Sequence, residues 1–498
     1  MLPRTSPERS SASTEDSPPG DFVKILFILN RMAHVRHFDR AIRVLAERGH
    51  RVVLASQEDD LRVGEILDHP SIETARAPQR RADDWTHAAK ALRRTRDFVR
   101  YLHPRYAEAA LLRRRAFTTM IGAVSGREDE VSTQFAELLR GMNVQEQRRL
   151  DKLLAKLETA IPIDPDAHAF VSAQQPDLLV VSPLVGVGFS QADFVKSARQ
   201  QGIPSALLVF SWDNLSNKGL MHEVPDRVIV WNDTQREEAT TLHQCPPERV
   251  VVTGAPRFDA FFEMLPLIPR QVLCEALGFN PQRPIVAYLC SSRFVAGEER
   301  QFVGRWIAEL RASSDPALAE CGIIVRPHPA GVKEWHVEPR DVVRWPKPGR
   351  DKASVSRPFG DPHAVVMTST LQNADQVLFD TVYHSAAVVG LNTSAEIEAA
   401  IVGRPVFTIL DPEAEGQKGT LHFHYLLREH GGHVSLADNF DEHRNQLSAA
   451  LAGEVDRTAL RTFVRAFVRP KGLDHPVSPL VADAIEALGV CDAVPTLQ

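Results

Sequence analysis

Gly390-Leu391-Asn392-Thr393-Ser394-Ala395-Glu396-Ile397-Glu398-Ala399-Ala400-Ile401-Val402-Gly403-Arg404-Pro405 is the stretch on which the reading of this chain turns. The apolar run Ala386 to Leu391 reads as a short buried strand. Helix signals stand at both ends of the segment after that strand: Thr393 with Glu396 three residues on forms a capping box, and Gly403 with Pro405 supplies the stop. A strand that delivers the chain onto a helix start presents free amides and the positive dipole end, which favour a phosphate. Ser394 falls in the first turn, where its hydroxyl can join those amides. Glu398 lies four residues on and on the same face, where a carboxylate can accept from both hydroxyls of a ribose attached to a diphosphate. The plainer reading is that Glu396 is simply a cap and that Ser and Thr are common at strand-to-helix turns.

Size and composition narrow the field. A chain of 498 residues is long for one core, so two domains of roughly 200 residues are expected. An apolar content of 43% and a charged content of 24% are ordinary for a globular protein, and the net charge of −6 argues against a nucleic-acid partner. The five cysteines show no paired or metal-like spacing, which suits a reducing cytoplasm. Residues 1–20 are rich in Ser, Pro, Glu and Thr and read as a disordered tail. No apolar run approaches the roughly 20 residues of a membrane helix.

Outward toward the N-terminus, Phe22 to Leu29 reads as a strand. Phe38, Ala41, Ile42 and Leu45 then recur at helical spacing before Gly49 and a strand from Arg51 to Ala55. Strand–helix–strand implies a parallel sheet, whose ligands gather at the carboxyl ends of strands. The loop Asn30 to His37 is therefore a site candidate; His34 and His37 on it either act in chemistry or line the helix start. Asp177 to Ser182, Ser205 to Phe210, Arg227 to Trp231 and Arg249 to Thr253 continue the sheet. The loop Ser211 to Gly219 opens at the same edge and gathers Trp212, Asp213, Asn214 and Lys218. Asp213 is a candidate to orient a histidine or an acceptor hydroxyl, or else it makes an Asx turn. Gly186-Val187-Gly188 lacks the third glycine of a dinucleotide fingerprint.

Residues from about 83 to 160 form a helical, basic insert: between Arg76 and Arg115 there are twelve Lys or Arg against four Asp or Glu. Such a surface can meet anionic lipid or a lipid-linked acceptor, or it is a solvated helical hairpin rich in arginine. Beyond the prolines of residues 262–283, Ile285 to Cys290 reads as a strand with Ser291-Ser292-Arg293 at its end. Ile323 to Val325 leads into Arg326-Pro327-His328-Pro329. Each proline keeps the residue before it out of the helical region, so Arg326 and His328 are held extended at a strand end, ready to grip an anion. Pro405 to Leu410 is a strand with Asp411 to Gly419 as its exit loop. Leu421 to Glu429, Asp441 to Leu451 and much of Thr458 to Leu488 read as helical.

The order Asn-Thr-Ser-x-x-x-Glu-Ala, then Gly-x-Pro-Val, resembles the nucleotide-binding segment of GT-B glycosyltransferases, nearest to bacterial capsule-polysaccharide transferases of the Kdo-transferring kind. CDP-glycerol glycerophosphotransferases carry a related segment. Arg326-Pro327-His328-Pro329 resembles the His-Pro element of sialyltransferases, capsule transferases and CDP-glycerol enzymes. Ala33-His34-Val35 resembles a Gly-His-Val loop that presents a catalytic histidine, with alanine in place of glycine. Gly254-Ala255-Pro256-Arg257-Phe258-Asp259 resembles the hinge of GT-B transferases and of non-hydrolysing UDP-GlcNAc 2-epimerases. The resemblance implies an α/β GT-B fold of two Rossmann-like parallel-sheet domains facing a cleft. It implies an N-terminal acceptor domain over residues 21–262, a nucleotide-donor domain over 263–455, and helices over 456–498 that cross back to the first domain.

By the same resemblance Thr393 and Ser394 fall on the phosphate-contacting pair and Glu398 on the ribose-binding acid. Arg293, Arg326 and His328 are the expected phosphate or base contacts. His34, oriented by Asp213, is the expected base, and Glu415 and Gln417 are candidates beside the donor sugar. No metal is implied (Asp164-Pro165-Asp166 is a weak Asp-x-Asp in a loop), and no cofactor beyond a nucleotide-sugar co-substrate. The function expected is transfer of a sugar to a glycan, lipid-linked or small-molecule acceptor in cytoplasmic synthesis of surface polysaccharide or glycoconjugate, with the insert as a candidate membrane contact. The alternatives are CDP-glycerol-type transfer, epimerisation, whose full set of acidic residues is not seen, and a non-catalytic nucleotide-binding scaffold.

Overall fold

The structure, a computed structural model, describes residues 22–78, 80–186, 191–335, 341–344, 352–369 and 374–490. The expected tail over 1–20 lies outside them, as do Val187 and Gly188. Among the described residues the first sheet has seven parallel strands: β1 (Lys24–Leu29), β2 (Arg51–Ser56), β3 (Ile72–Arg76), β4 (Leu178–Ser182), β5 (Ser205–Leu208), β6 (Arg227–Val230) and β7 (Val250–Val252). Their order is β3-β2-β1-β4-β5-β6-β7.

The second sheet has β8 (Ile285–Leu289), β9 (Gly322–Arg326), β10 (Asp341–Arg344), β11 (Lys352–Ser356), β12 (Ala364–Ser369), β13 (Ala387–Gly390), β14 (Val406–Ile409) and β15 (Val434–Ala437). Its order is β10-β11-β12-β9-β8-β13-β14-β15, parallel from β12 to β15, with β10 and β11 antiparallel at one edge. In the first sheet and in the parallel part of the second, β12 to β15, the strand order reverses once, between β1 and β4 and between β8 and β13. Crevices form outside the carboxyl ends of strands at such points.

Both faces of each sheet are covered, which is why the strands read as unbroken apolar runs. On β1, Ile25, Phe27 and Leu29 pack toward Asp39–Glu47 and Val477–Val490, while Leu26 and Ile28 pack toward Val171 and Phe194 on the other face. The terminal helix Val477–Val490 thus lies on the first sheet, through Val481, Ile485 and Leu488. Asp259 fastens this return: its buried carboxylate accepts from Arg469 (2.6 Å), the Val477 amide (2.9 Å) and the Ser478 amide (2.7 Å). Gly254, at φ +116°, passes so close that a Cβ there would sit 2.6 Å from Val477 Cγ2. The helix Arg457–Phe467 packs instead on the second lobe beside Ile397 and Ala399, and that cluster also takes in Trp212, Trp231 and Phe258 of the first.

Several local expectations change. Residues 421–429 are short 3₁₀ turns, Phe423–Leu426 and Arg428–His430, not a helix. The helix after β13 runs over Ala395–Ile401 with Ser394 as N-cap and no side-chain cap from Thr393. The capping box is not made in the expected form: Glu396 Oε1 accepts the Asn392 amide at 3.0 Å, two residues ahead of the N-cap. Asp164 caps the helix Pro165–Gln174 by accepting the Asp166 amide at 3.1 Å, which accounts for the Asp-x-Asp pair.

The insert consists of Thr86–Tyr101, Ala110–Val124, Glu130–Gly141 and Val144–Ala160. Its arginines divide: Arg105, Arg113, Arg114, Arg148 and Arg149 are exposed, and those of its first helix turn inward. Arg93, Arg94, Arg96 and Arg100 are buried, because partners far along the chain fold under them. Arg93 meets Glu158 at 2.7 Å and grips Asp193 with both terminal nitrogens at 3.1 and 3.2 Å; Arg96 meets Asp151 and Glu158, and Arg94 meets Asp97. Among the described residues no helix is long and apolar enough to cross a membrane.

Candidate functional site

The two crevices open on a shared cavity of about 640 Å³ between the lobes. Six parallel strands deliver its wall. The end of β1 leads to the 3₁₀ turn Met32–His37 with Arg36, and β5 leads to Phe210 and the Ser211–Lys218 loop. Arg257 follows β7, Cys290 and Ser292 follow β8, Arg326 and His328 end β9, and Asn392 to Ser394 follow β13. The insert contributes Arg115. Cations dominate: Arg36, Arg115, Lys218, Arg257 and Arg326 face Asp213, Asp375 and Glu398.

The loop after β13 is tightly built. Asn392 holds φ +95°, a conformation that non-glycine residues adopt at a cost and that clusters at functional sites. Its carbonyl accepts from the Ser291 hydroxyl at 3.1 Å, and burial raises Glu396 beneath it to about 8. A Cβ on Gly390 would come within 2.7 Å of Glu396 Oε1, so only glycine lets the strand end close over that carboxyl. The Ser394 hydroxyl oxygen accepts from the Trp212 indole N–H at 3.0 Å, across the lobes. With a lone pair engaged by the indole, its O–H is free to donate to a ligand in the cavity that Ser394 lines.

Arg326 is the electrostatic feature of this wall. Burial lowers it from 12.5 to about 10; among the described residues Nη2 reaches only the Ser369 hydroxyl at 3.3 Å, and Nη1 is shut from water with no hydrogen-bond partner. A guanidinium left so is a waiting anion site. His328 beside it is lowered by burial and then by Arg36, so it is neutral at pH 7. Glu398 lines the cavity and pairs with Arg257 at 2.8 Å; burial nonetheless raises it to about 6. Asp39 is raised to about 6, also by burial, and Asp375 pushes both acids upward.

His34 is half-buried one ring back from the cavity, stacked on its lining residue Phe210 with ring centroids 4.7 Å apart. Burial, then Arg31, Arg36 and Lys218, lower it to about 4, and its Nδ1 is buried without a partner. The expected orienting contact from Asp213 is not made among the described residues. Asp213 instead accepts from Ser211 at 2.7 Å and pairs with Lys218 at 3.0 Å. Burial pushes it up, but Lys218 and the other neighbours outweigh that and hold it well below the usual carboxylate range.

The cleft therefore brings together Asp213, Arg326, His328, Thr393, Ser394 and Glu398. Arg293 lines a neighbouring cavity of about 560 Å³ that shares His328 with it. Two expectations fall away. Gln417 is buried, with its amide locked onto the Asp411 amide (3.1 Å), Thr408 (3.3 Å) and the Ile409 carbonyl (2.9 Å), so it shapes the loop. Glu415 is exposed and pairs with Arg114 at 3.4 Å. Sequence reasoning misses Arg36, Arg115, Arg257, Asp375 and His422, although Arg36 and Arg257 sit inside stretches that it singles out.

No protein-family profile and no curated protein matches the chain. Solved structures do. A Listeria monocytogenes protein assigned as a UDP-N-acetylglucosamine 2-epimerase superposes with a TM-score of 0.50 at 12% identity, covering 95% of this chain and 98% of its own. MnaA of S. aureus, solved with UDP, gives 0.50 at 10% identity, covering 95% and 99%. A glycosyltransferase of Rickettsia africae gives 0.49 at 10%, covering 94% and 99%. The fold is that of the GT-B proteins, two Rossmann-like lobes across a cleft, and at these identities the likeness speaks for the fold alone.

Proposed function

We propose that the chain is a nucleotide-sugar-dependent glycosyltransferase that holds its donor in the interlobe cleft and works without a metal. Arg326 carries this reading: a half-buried cation whose Nη1 is shut from water without a partner among the described residues, lining the same cavity as Thr393 and Ser394. In the proposal the donor's phosphates lie between Arg326 with His328 and those hydroxyls, and Glu398 accepts from the ribose. Charge developing on the departing phosphate is met by fixed cations, which need no reorganisation at the moment of reaction. His34 is the proposed base. It is neutral at pH 7, and a bound anion raises its proton affinity toward the useful range. The acceptor enters from the first lobe beside Trp212. Kinship with capsule-polysaccharide or CDP-glycerol transferases, and a cytoplasmic place in glycoconjugate synthesis, belong to this proposal on the strength of the motifs. A membrane contact would fall to the insert's exposed cations, such as Lys90, Arg113 and Arg114, since Arg93, Arg94, Arg96 and Arg100 are turned inward.

The test is a panel of UDP-, CMP-, CDP- and GDP-linked sugars plus CDP-glycerol, assayed for transfer and slow hydrolysis. One donor class should turn over, and Arg326→Gln should lose it; tight binding with no turnover of any donor would favour the scaffold reading. A second reading, epimerisation, draws on Glu398 and Asp39, both raised to about 6 around Asp375, since proton exchange at a sugar carbon needs protonatable acids close by. The same panel in D₂O without acceptor separates the two: a deuterated epimer marks the second reading.

A further inference from the structure

A second cavity, of about 430 Å³, lies outside the cleft between the helical insert and the helix Asp233–His243. That is the size of a small-molecule site. Arg100 lies at its buried side. The carbonyls of Lys218 and Gly219 and the Tyr101 hydroxyl fix its terminal nitrogens, so the guanidinium is already oriented. Its Nε–H, however, is buried with no hydrogen-bond partner, and an unmade bond at a buried charge costs free energy that a ligand would recover.

The rim adds Arg105, Arg148 and Lys152. Arg148 and Lys152 have no ion-pair partner among the described residues. Arg105 donates to the Thr241 hydroxyl at 3.2 Å and has a loose 3.4 Å ion pair with exposed Glu237. The cavity's carboxylate, Asp151, does not neutralise them, because it is engaged by Arg96 at 2.9 Å and by the Gln244 amide at 3.1 Å. Val99, Val144 and Leu242 give the remaining wall an apolar character.

We propose that this cavity binds an organic phosphate. A phosphate monoester carries about −1.5 to −2 charge on three strong acceptor oxygens, which matches several convergent cations better than a single carboxylate does. The phosphate lies on Arg100 Nε and the rim cations, and the apolar or aromatic body lies on Val99, Val144 and Leu242.

Phenyl phosphate titrated calorimetrically into the full chain tests this, in parallel with Arg326→Gln, which disables the cleft, and with the double variant Arg148→Glu, Lys152→Glu. Binding should persist in Arg326→Gln and weaken at least about tenfold in the double variant, as expected for removing charge-assisted contacts. The milder Arg148→Gln, Lys152→Gln pair gives the same readout if charge reversal disturbs folding. Phenyl phosphate should also bind more tightly than inorganic phosphate. Complete loss of binding in Arg326→Gln, or unaltered binding in both charge variants, overturns the proposal; equal affinity for the two phosphates overturns its apolar part.

Discussion

Two arginine sites in this molecule stand under opposite conditions, one buried and the other half-buried with an inner nitrogen shut from water. In the insert, Arg93 lies among Glu158 and Asp193 with each of its three nitrogens donating to a carboxylate, and its partners hold its charge firmly. At the end of β9, half-buried Arg326 has the Ser369 hydroxyl as its one hydrogen-bond partner among the described residues, and burial draws its proton affinity down. Burying a charge costs several kcal/mol unless geometry and partners repay it. The first site repays it within the chain and is architecture. The second does not, and a fold keeps such a residue only where something outside the chain completes it.

The comparison breaks most sharply under truncation. Arg93→Ala leaves Glu158 and Asp193 buried without their counter-ion, and breaking a buried pair costs about 3–5 kcal/mol. Denaturant titration should register that loss, while UDP affinity of the folded fraction stays put. Arg326→Gln should do the reverse. Removing a charge-assisted contact to phosphate costs about 1.5–3 kcal/mol of binding, roughly a ten- to hundredfold rise in Kd, while the free protein becomes no less stable. If Arg326→Gln unfolds the chain and Arg93→Ala does not, the contrast is wrong.

Glu398 sharpens it at a smaller scale through pH. Its folded value of about 6 lies above the ordinary 4.5, so the folded chain holds this proton more tightly than the unfolded chain does. Stability from this group is therefore full below pH 4.5 and declines as pH rises to about 6 and beyond. Ribose binding needs the ionised form and so has the opposite slope: nucleotide affinity should strengthen about tenfold as pH climbs through 6, the value of a charged hydrogen bond. In Glu398→Gln the affinity should be weak and flat across that range. His34, titrating near 4, cannot produce a limb at 6 in the free protein.

Legibility in the sequence depends on distance along the chain. Buried parallel strands such as β1 and β8 announce themselves because both faces need apolar side chains. β3 (Ile72–Arg76) does not: it is an edge strand, and Glu73 and Arg76 are solvated. Arg326 and His328 stand out because prolines beside them write their backbone into the sequence. The insert's arginines mislead for the converse reason, since Glu158 and Asp193 stand 65 and 100 residues from Arg93. Arg257 meeting Glu398, or Trp212 meeting Ser394, is likewise a product of two lobes docking, and no local pattern encodes it.

That docking supplies the smallest test. The Trp212 indole donates to Ser394 across the cleft and packs edge-on against His422 at 4.4 Å between ring centroids. Trp212→Phe keeps most of the packing and removes the donor, so the expected loss of stability is about 1 kcal/mol, the net worth of one hydrogen bond. Ser394 then loses the contact that engages its lone pair and leaves its O–H to donate to a ligand, and nucleotide binding should weaken by a fewfold factor through orientation rather than charge. Ser394→Ala should weaken binding by a similar factor, and adding Trp212→Phe to it should cost nothing further, because the two act through one hydroxyl. Additive losses in the double variant would mean that Trp212 touches the ligand itself. The cleft would then owe its grip on that side to an aromatic face, and the contrast between compensated and waiting cations would account for only half of it.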